Sequence, residues 1–187
     1  SSWEIKINVF NEPPGAFSLI SPADELIVST QTPVFAWENA IDPDPDNIVN
    51  YNLYYSTYST FSSSMAVSGI NGSSYTFITN LIENATYWWK VEAVDNTLLK
   101  IMSNQASWKT KINGINEPPA DFNLVSPASR AIVKSSTPAF VWNTAVDPDP
   151  GDIVTYTLYY STDSTFDVFF STSVSSACYI PTSNLTE

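Results

Sequence analysis

Thr86-Tyr87-Trp88-Trp89-Lys90-Val91-Glu92-Ala93-Val94-Asp95 alternates along its length. Tyr87, Trp89, Val91 and Ala93 share one parity; Trp88, Lys90 and Glu92 share the other. Successive side chains of a β-strand point to opposite faces, so this stretch reads as a strand with an apolar inner face and a more polar outer one. Tyr51, Leu53 and Tyr55 form a second inward set, with Asn52 and Tyr54 outward. Further short runs rich in aromatic and β-branched residues lie at 16–20, 34–38, 65–68, 74–78 and 101–112, separated by Pro, Gly, Asn and Asp clusters. Thr32-Pro33 and Thr137-Pro138 put proline at a strand start, where a missing N–H costs least. No amphipathic helix of useful length is visible. Seven short strands in about 105 residues predict an all-β sandwich of two antiparallel sheets.

The sandwich is repeated. Residues 11–61 align with 116–166 without a gap, and 31 of the 51 positions are identical, far too many for chance. After Phe61 and Phe166 the copies diverge; Tyr75 then matches Tyr179, one residue short, and Leu81 matches Leu185. Residues 2–8 match 107–113 at the same offset. The organisation expected is therefore the terminal strand of a preceding repeat over 1–10, a complete module over 11–115, and a second, incomplete module over 116–187. The second copy lacks a counterpart of 86–111, about two strands, and the chain reads as a piece of something longer.

Leu81, Tyr87, Val91 and Ala93 reproduce the pattern Leu-x5-Tyr-x3-Val-x-Ala, and in this the chain resembles fibronectin type III domains. Trp37 in the second strand and Tyr51-x-Leu53-x-Tyr55 in the third match as well. The resemblance covers the whole of the complete module and the incomplete one up to Leu185. It implies tandem fibronectin type III-like (immunoglobulin-like) antiparallel β-sandwiches, with the Leu and Tyr forming a corner that bridges the sheets. It implies a spacer or binding scaffold rather than one activity. The opening Asn11-Glu12-Pro13-Pro14, repeated at Asn116-Glu117-Pro118-Pro119, is similar to repeats of large bacterial and archaeal surface proteins. Burial of Trp37, Tyr51, Leu53, Tyr87, Trp89 and Val91 is expected to dominate stability, at about 1.5–3 kcal/mol per large side chain.

Composition narrows the function. Nineteen acidic residues against seven basic ones leave a net charge of −12. That balance opposes nucleic acid and anionic membrane surfaces. No apolar run approaches a membrane span. A single cysteine, Cys178, allows no intrachain disulfide, and a chain with no histidine cannot hold a Ser-His-Asp triad. The acidic groups sit in loops with no apolar pocket to raise a pKa, so an enzyme is not expected. A secreted or cell-surface location fits a chain whose polarity comes mostly from Ser, Thr, Asn and Tyr.

Two candidate sites remain. The first is the loop Asp42-Pro43-Asp44-Pro45-Asp46, repeated as Asp147-Pro148-Asp149-Pro150-Gly151-Asp152. The resemblance makes it the connection between the second and third strands, at the pole that also holds Glu12 and the end of the sixth strand, Asp95. Asp42, Asp44, Asp46, Glu12 and Asp95 would converge there, as would Asp147, Asp149, Asp152 and Glu117 in the second copy. Such a set of hard oxygens suits Ca²⁺ and would stiffen a joint with a neighbouring repeat, beside Glu83 or Asp24. The competing reading is a proline-stiffened turn whose aspartates cap backbone N–H groups. The second candidate is an outer aromatic platform of Tyr54 and Trp88, with Trp108 nearby, for a glycan or a protein partner; the competing reading is cover for the sheet, with a ring stacked on Lys90. Cys178 reads as a small strand residue. A further alternative is assembly into a fibre by strand exchange between copies, the surplus strand of one entering the unfinished module of another.

Overall fold

The computed structural model describes Trp3, Asn8 and residues 10–185. The strand expected over 1–10, and with it the donor strand of the exchange reading, falls outside the described residues. The chain divides into two compact units, Ser1–Ile115 and Asn116–Glu187.

Unit 1 holds β1 (Leu19–Ser21), β2 (Ile27–Val28), β3 (Val34–Trp37), β4 (Asn50–Ser56), β5 (Met65–Ile70), β6 (Ser74–Thr76), β7 (Thr86–Val94), β8 (Lys100–Met102) and β9 (Trp108–Ile112). One sheet runs β1-β3-β6; the other runs β2-β9-β7-β4-β5, with β8 also on β7. All pairs are antiparallel except β2 with β9. The alternation of β7 sets this arrangement: Tyr87, Trp89, Val91 and Ala93 are all buried, and so are Tyr51 and Leu53 facing them from β4. Between the sheets the rings meet at angles. Phe35 lies 4.6 Å from Trp89, Tyr55 5.0 Å from Phe77 and Trp37 5.5 Å from Tyr51. Each such pair adds about 0.5–1.5 kcal/mol to what its burial contributes. At the corner, Leu81 is buried and the Ile82 N–H donates to the Tyr87 hydroxyl at 3.2 Å.

Two local expectations are corrected. The strand expected over 101–112 is two strands. Between them Ser103 still donates its N–H to Val91 O of β7 at 2.9 Å, and the chain then crosses to the other sheet: the Asn104 N–H donates to Phe17 O at 2.9 Å, and Gln105 Oε1 accepts the Leu19 N–H at 2.9 Å. These bonds tie the sheets together along one edge. The first strand begins at Leu19 rather than at residue 16, leaving Phe17 buried ahead of it.

Unit 2 holds β10 (Leu124–Ser126), β11 (Phe140–Trp142), β12 (Tyr156–Tyr160), β13 (Phe170–Val174) and β14 (Cys178–Tyr179). They correspond to β1, β3, β4, β5 and β6, in sheets β10-β11-β14 and β12-β13. The correspondence reaches single bonds. The Ala40 N–H donates to the Tyr51 hydroxyl at 2.8 Å, and the Ala145 N–H to the Tyr156 hydroxyl at 2.9 Å. Leu81 N–H donates to Gln31 O, and Leu185 N–H to Ser136 O, each at 2.8 Å.

The one-residue gap between the copies has a structural cause. In unit 1 Tyr51 stands opposite Ile70 but Leu53 opposite Val67, so β5 carries an extra residue. Gly69 in that bulge has φ +70°, and its N–H is taken by Asn52 Oδ1 at 3.2 Å. A bulge of this kind favours glycine because an L side chain resists positive φ. In unit 2, β12 and β13 pair evenly from Tyr156↔Val174 to Tyr160↔Phe170.

Candidate functional site

In unit 1 the acidic loop is engaged largely with its own backbone. Asp42 Oδ1 accepts the Asp44 N–H at 2.9 Å and the Asn47 Nδ2 at 3.3 Å. Asp44 Oδ2 accepts the Glu12 N–H at 2.7 Å, so Glu12 joins the loop by its backbone. Asp46 is exposed and turns the chain at φ 68°. Asp95 is buried, and its Oδ1 accepts Thr97 N–H at 2.8 Å, Thr97 Oγ1 at 2.9 Å and Leu99 N–H at 2.9 Å. Asn11 Nδ2 reaches its other oxygen at 3.2 Å. Burial pushes the Asp95 carboxyl up, but these donors outweigh it and hold the group below its ordinary value. Asp95 thereby caps the turn from β7 to β8. Among the described residues, Asp42, Asp44, Asp46, Glu12 and Asp95 do not form a group whose ligand atoms converge.

Unit 2 keeps the same frame and changes two residues. Asp147 Oδ1 accepts the Asp149 N–H at 2.9 Å, and Asp149 Oδ2 accepts the Glu117 N–H at 2.7 Å. Where unit 1 has Asn47, however, unit 2 has Asp152, and Gly151 takes the positive-φ place of Asp46. An amide donor is replaced by a third carboxylate. Oxygens of Asp147, Asp149 and Asp152 then lie within 4.8 Å of one another, with Asp149 buried. Three such charges repel at this range unless a cation joins them. Glu117 meets the group through its backbone. Asp24 and Glu83, expected near an inter-module joint, act inside unit 1: Asp24 Oδ1 accepts the Lys109 N–H at 2.8 Å, and Glu83 Oε1 accepts the Gly114 N–H at 2.8 Å.

The outer sheet face does not gather three rings. Tyr54 pairs with Lys90 and Trp88 with Ser56, so Tyr54 and Trp88 are diagonal neighbours on one face. Trp108 stands opposite Trp89, and directly paired residues share a face. It therefore turns inward, edge-on to Trp89 at 5.9 Å. Tyr54 is engaged: its hydroxyl donates to Glu92 Oε2 at 3.1 Å, and Lys90 Nζ lies 6.0 Å from its ring and 4.4 Å from that of Phe61. Trp88 is half-buried and lines a shallow hollow with Ile27, Thr86, Lys109 and Lys111.

Glu92 plays a part that alternation alone hides. Its outward parity marks a solvated charge, yet it is 8% exposed and collects Asn52 Nδ2, the Tyr54 hydroxyl and Lys100 Nζ, each at 3.1 Å. Burial raises its carboxyl, and the donors from Asn52, Lys100 and Tyr54 bring it below its ordinary value. Asn52, on the strand paired with that of Glu92, is the sequence signal that points there.

No protein-family model matches the chain, and no curated protein does. Among solved structures it is similar to an Fn3-like protein from Clostridium thermocellum, at 22% identity over 57% of this chain and 98% of that one, with a TM-score of 0.37. It is also similar to the FN1–FN3 domains of chicken CNTN1, at 14% identity over 95% of this chain and 59% of that one, with a TM-score of 0.45.

Proposed function

We propose that this fibronectin type III-like chain is a non-catalytic structural segment of a secreted or cell-surface protein, built to space or join what lies on either side. The fold is of that kind on its strand order and its Leu81–Tyr87 corner. The observation that carries the reading is where the carboxylates are used. Asp44 holds the chain at Glu12, near the start of the first repeat, Glu83 holds it at Gly114 as it leaves unit 1, and Asp149 holds it at Glu117 as it enters unit 2. Glu83 also reaches the Ile115 N–H at 3.4 Å, which leaves Asn116 as the single residue between two held stretches. Gly114 fits only as glycine, since a Cβ there would come within 2.9 Å of the Thr30 and Gln31 backbone. The natural neighbours of such a segment are further repeats of its own kind. No helix among the described residues is long and apolar enough to cross a membrane.

The test is a distance distribution between spin labels, one in each unit, by pulsed electron resonance. A narrow distribution that broadens with Glu83→Ala and Asp149→Ala supports a stiffened spacer. A wild-type distribution as broad as that of the double variant overturns it.

Ca²⁺ binding is part of this proposal for unit 2 alone, where Asp147, Asp149 and Asp152 converge. Thermal unfolding of the full chain with and without Ca²⁺, with EDTA as control, tests it. At ten times its Kd a bound ion adds about 1.4 kcal/mol to unit 2. No shift at millimolar Ca²⁺ sinks it. The half-buried Trp88 keeps a glycan or protein-binding role open; Trp88→Ala with loss of adhesion and an intact fold would support that instead.

A further inference from the structure

Lys90, Lys100, Lys109 and Lys111 are all the basic residues between 10 and 115, in a chain of net charge −12. The sheet register puts the four on one face. Lys90 shares the outward parity of Trp88 on β7; Lys100 stands opposite Val94, Lys109 opposite Trp88 and Lys111 opposite Thr86. Directly paired residues share a face. Lys100 is bound to the buried Glu92 at 3.1 Å, and Lys90 lies over the Phe61 ring at 4.4 Å. Lys109 and Lys111 stand beside Trp88 instead, and with Thr86 and Ile27 they line a hollow of about 410 Å³. Lys109 meets Glu25 at 3.0 Å, but the two side chains are 42% and 72% exposed. A pair so open to water holds its partner weakly. An indole with two ammonium groups beside it suits a ligand that carries an apolar ring and carboxylates together.

Unit 1 presents that combination at its other end. The loop Asp42-Pro43-Asp44-Pro45-Asp46 leads to β4, which starts at Asn50 opposite Val94, whereas the hollow lies around Thr86 and Trp88. From Trp88 to Val94 a strand runs about 20 Å, so the loop is out of reach of the hollow in its own unit. Pro43, Pro45 and Asp46 are exposed. Asp44 gives Oδ2 to the Glu12 N–H, and a carboxylate keeps further lone pairs on its other oxygen. The bond from the Asp44 N–H to Asp42 Oδ1 at 2.9 Å sets the loop in advance, so binding has little left to order.

We propose that the hollow around Trp88 receives the Asp42–Asp46 loop of a second copy of this chain. A proline ring of the loop lies on the Trp88 indole, and Asp44 and Asp46 meet Lys109 and Lys111. Proline-rich segments dock on aromatic surfaces because they are already rigid, and the charges of these two surfaces are opposite. The contact joins unlike surfaces at opposite ends of unit 1, so it is heterologous and propagates from copy to copy. It goes beyond the spacer reading and stands without it, because a flexible joint between the units would leave both surfaces intact.

Sedimentation velocity of the full 187-residue chain tests this, with EDTA throughout. The salt is set at about 0.1 M, where screening beyond about 10 Å mutes the repulsion between two acidic chains but spares direct contacts. Association that grows with concentration is expected. Trp88→Ala should weaken it more than about tenfold, as loss of an aromatic anchor does. Lys109→Gln with Lys111→Gln should weaken it about three- to tenfold. Asp46→Asn decides the sign: it should weaken association about twofold or more, although removing a negative charge from chains of net −12 would by itself strengthen it. A cross-link needs no variant. In an equimolar mixture of unlabelled and isotope-labelled chain, a carbodiimide should join Lys109 or Lys111 of one copy to Asp44 or Asp46 of another. A chain that stays monomeric overturns the proposal, as does association that none of these variants weakens or that Asp46→Asn strengthens. Cross-links confined to other residues overturn it too. So does a monomer that binds an acidic polysaccharide through Trp88, since the occupant is then a glycan.

Discussion

Phe17 and Phe122 are the same residue at the same point of the repeat, one 1% and the other 45% exposed. Ile27 and Ile132 differ in the same direction, at 43% and 97% exposed. Ile27–Val28 forms β2 because Lys111 and Ile112 of β9 lie alongside; Ile132 is 97% exposed and belongs to no strand. Identical residues thus differ in exposure with what lies beside them: β9 runs alongside Ile27, and Phe17 packs on Tyr51 with its carbonyl taken by the Asn104 N–H. Cover, more than residue type, decides how much a side chain contributes. Exchanging the two phenylalanines for alanine tests this most strongly. Phe17→Ala is expected to cost unit 1 about 3–5 kcal/mol, the usual loss for a buried aromatic. Phe122→Ala is expected to cost unit 2 well under half of that, as its ring is nearly half in water already. Denaturant unfolding that resolves the two units gives both values, and equal losses would break the comparison.

The β7–β8 turn belongs to unit 1 alone among the described residues, and Asp95 holds it. Asp95→Ala is expected to cost about 1–3 kcal/mol, because the Thr97 and Leu99 N–H groups lose a charged acceptor. The pH dependence has a definite sign. Asp95 and Glu92 sit below their ordinary values when folded. Their contribution is therefore complete above the unfolded carboxylate range, near about pH 4, and is lost as pH falls through the depressed folded values. Asp163 behaves likewise in unit 2, held down chiefly by the Thr165 N–H. Acid titration of Asp95→Asn should flatten the loss in unit 1 and leave unit 2 unchanged.

What is legible in the sequence is what depends on alternation within one strand. The inward sets of β4 and β7, the Leu81–Tyr87 corner and the repeat itself are of that kind. What depends on the register between strands is not legible. An unbroken strand through 101–112 would set Trp108 outside with Trp88, whereas the crossing at Ser103–Gln105 puts it opposite Trp89. β2 has no signal of its own and exists through β9. Glu92 looks solvated until Asn52, Tyr54 and Lys100 are brought around it. The acidic loops read alike because their compositions are nearly alike; only the bonds show what the exchange of Asn47 for Asp152 does.

Gly69 sharpens the comparison between the sheets. Its Cβ position is open, so a side chain there meets no neighbour, but the φ of +70° remains. Gly69→Ala is expected to cost unit 1 about 1–2 kcal/mol, the strain of an L residue held in the left-handed region. Deleting Gly69 should cost less than substituting it, since unit 2 shows the two strands pairing evenly without the bulge. A deletion that unfolds unit 1 would mean that the bulge, and not just its glycine, is required.

The smallest expected effect bears on the acidic loops. Asn47 and Asp152 differ by an amide for a carboxylate on the same frame, and the frame is tied down by matching bonds at Asp42 and Asp147 and at Asp44 and Asp149. If the amide is what keeps unit 1 from gathering three carboxylates, Asn47→Asp should carry the site across. Without added metal it removes the donor to Asp42 Oδ1 and adds a like charge, at a cost of about 0.5–1.5 kcal/mol. With Ca²⁺ the cost should be recovered in unit 1, while Asp152→Asn makes unit 2 indifferent to Ca²⁺ and slightly more stable in EDTA. Calorimetry of the two single variants with and without Ca²⁺ separates the outcomes. If unit 2 of the Asp152→Asn variant answered to Ca²⁺ as strongly as the unaltered unit, the third carboxylate would not be a ligand. The remaining aspartates would then be caps in both units, and the exchange of Asn47 for Asp152 between the loops would carry no function.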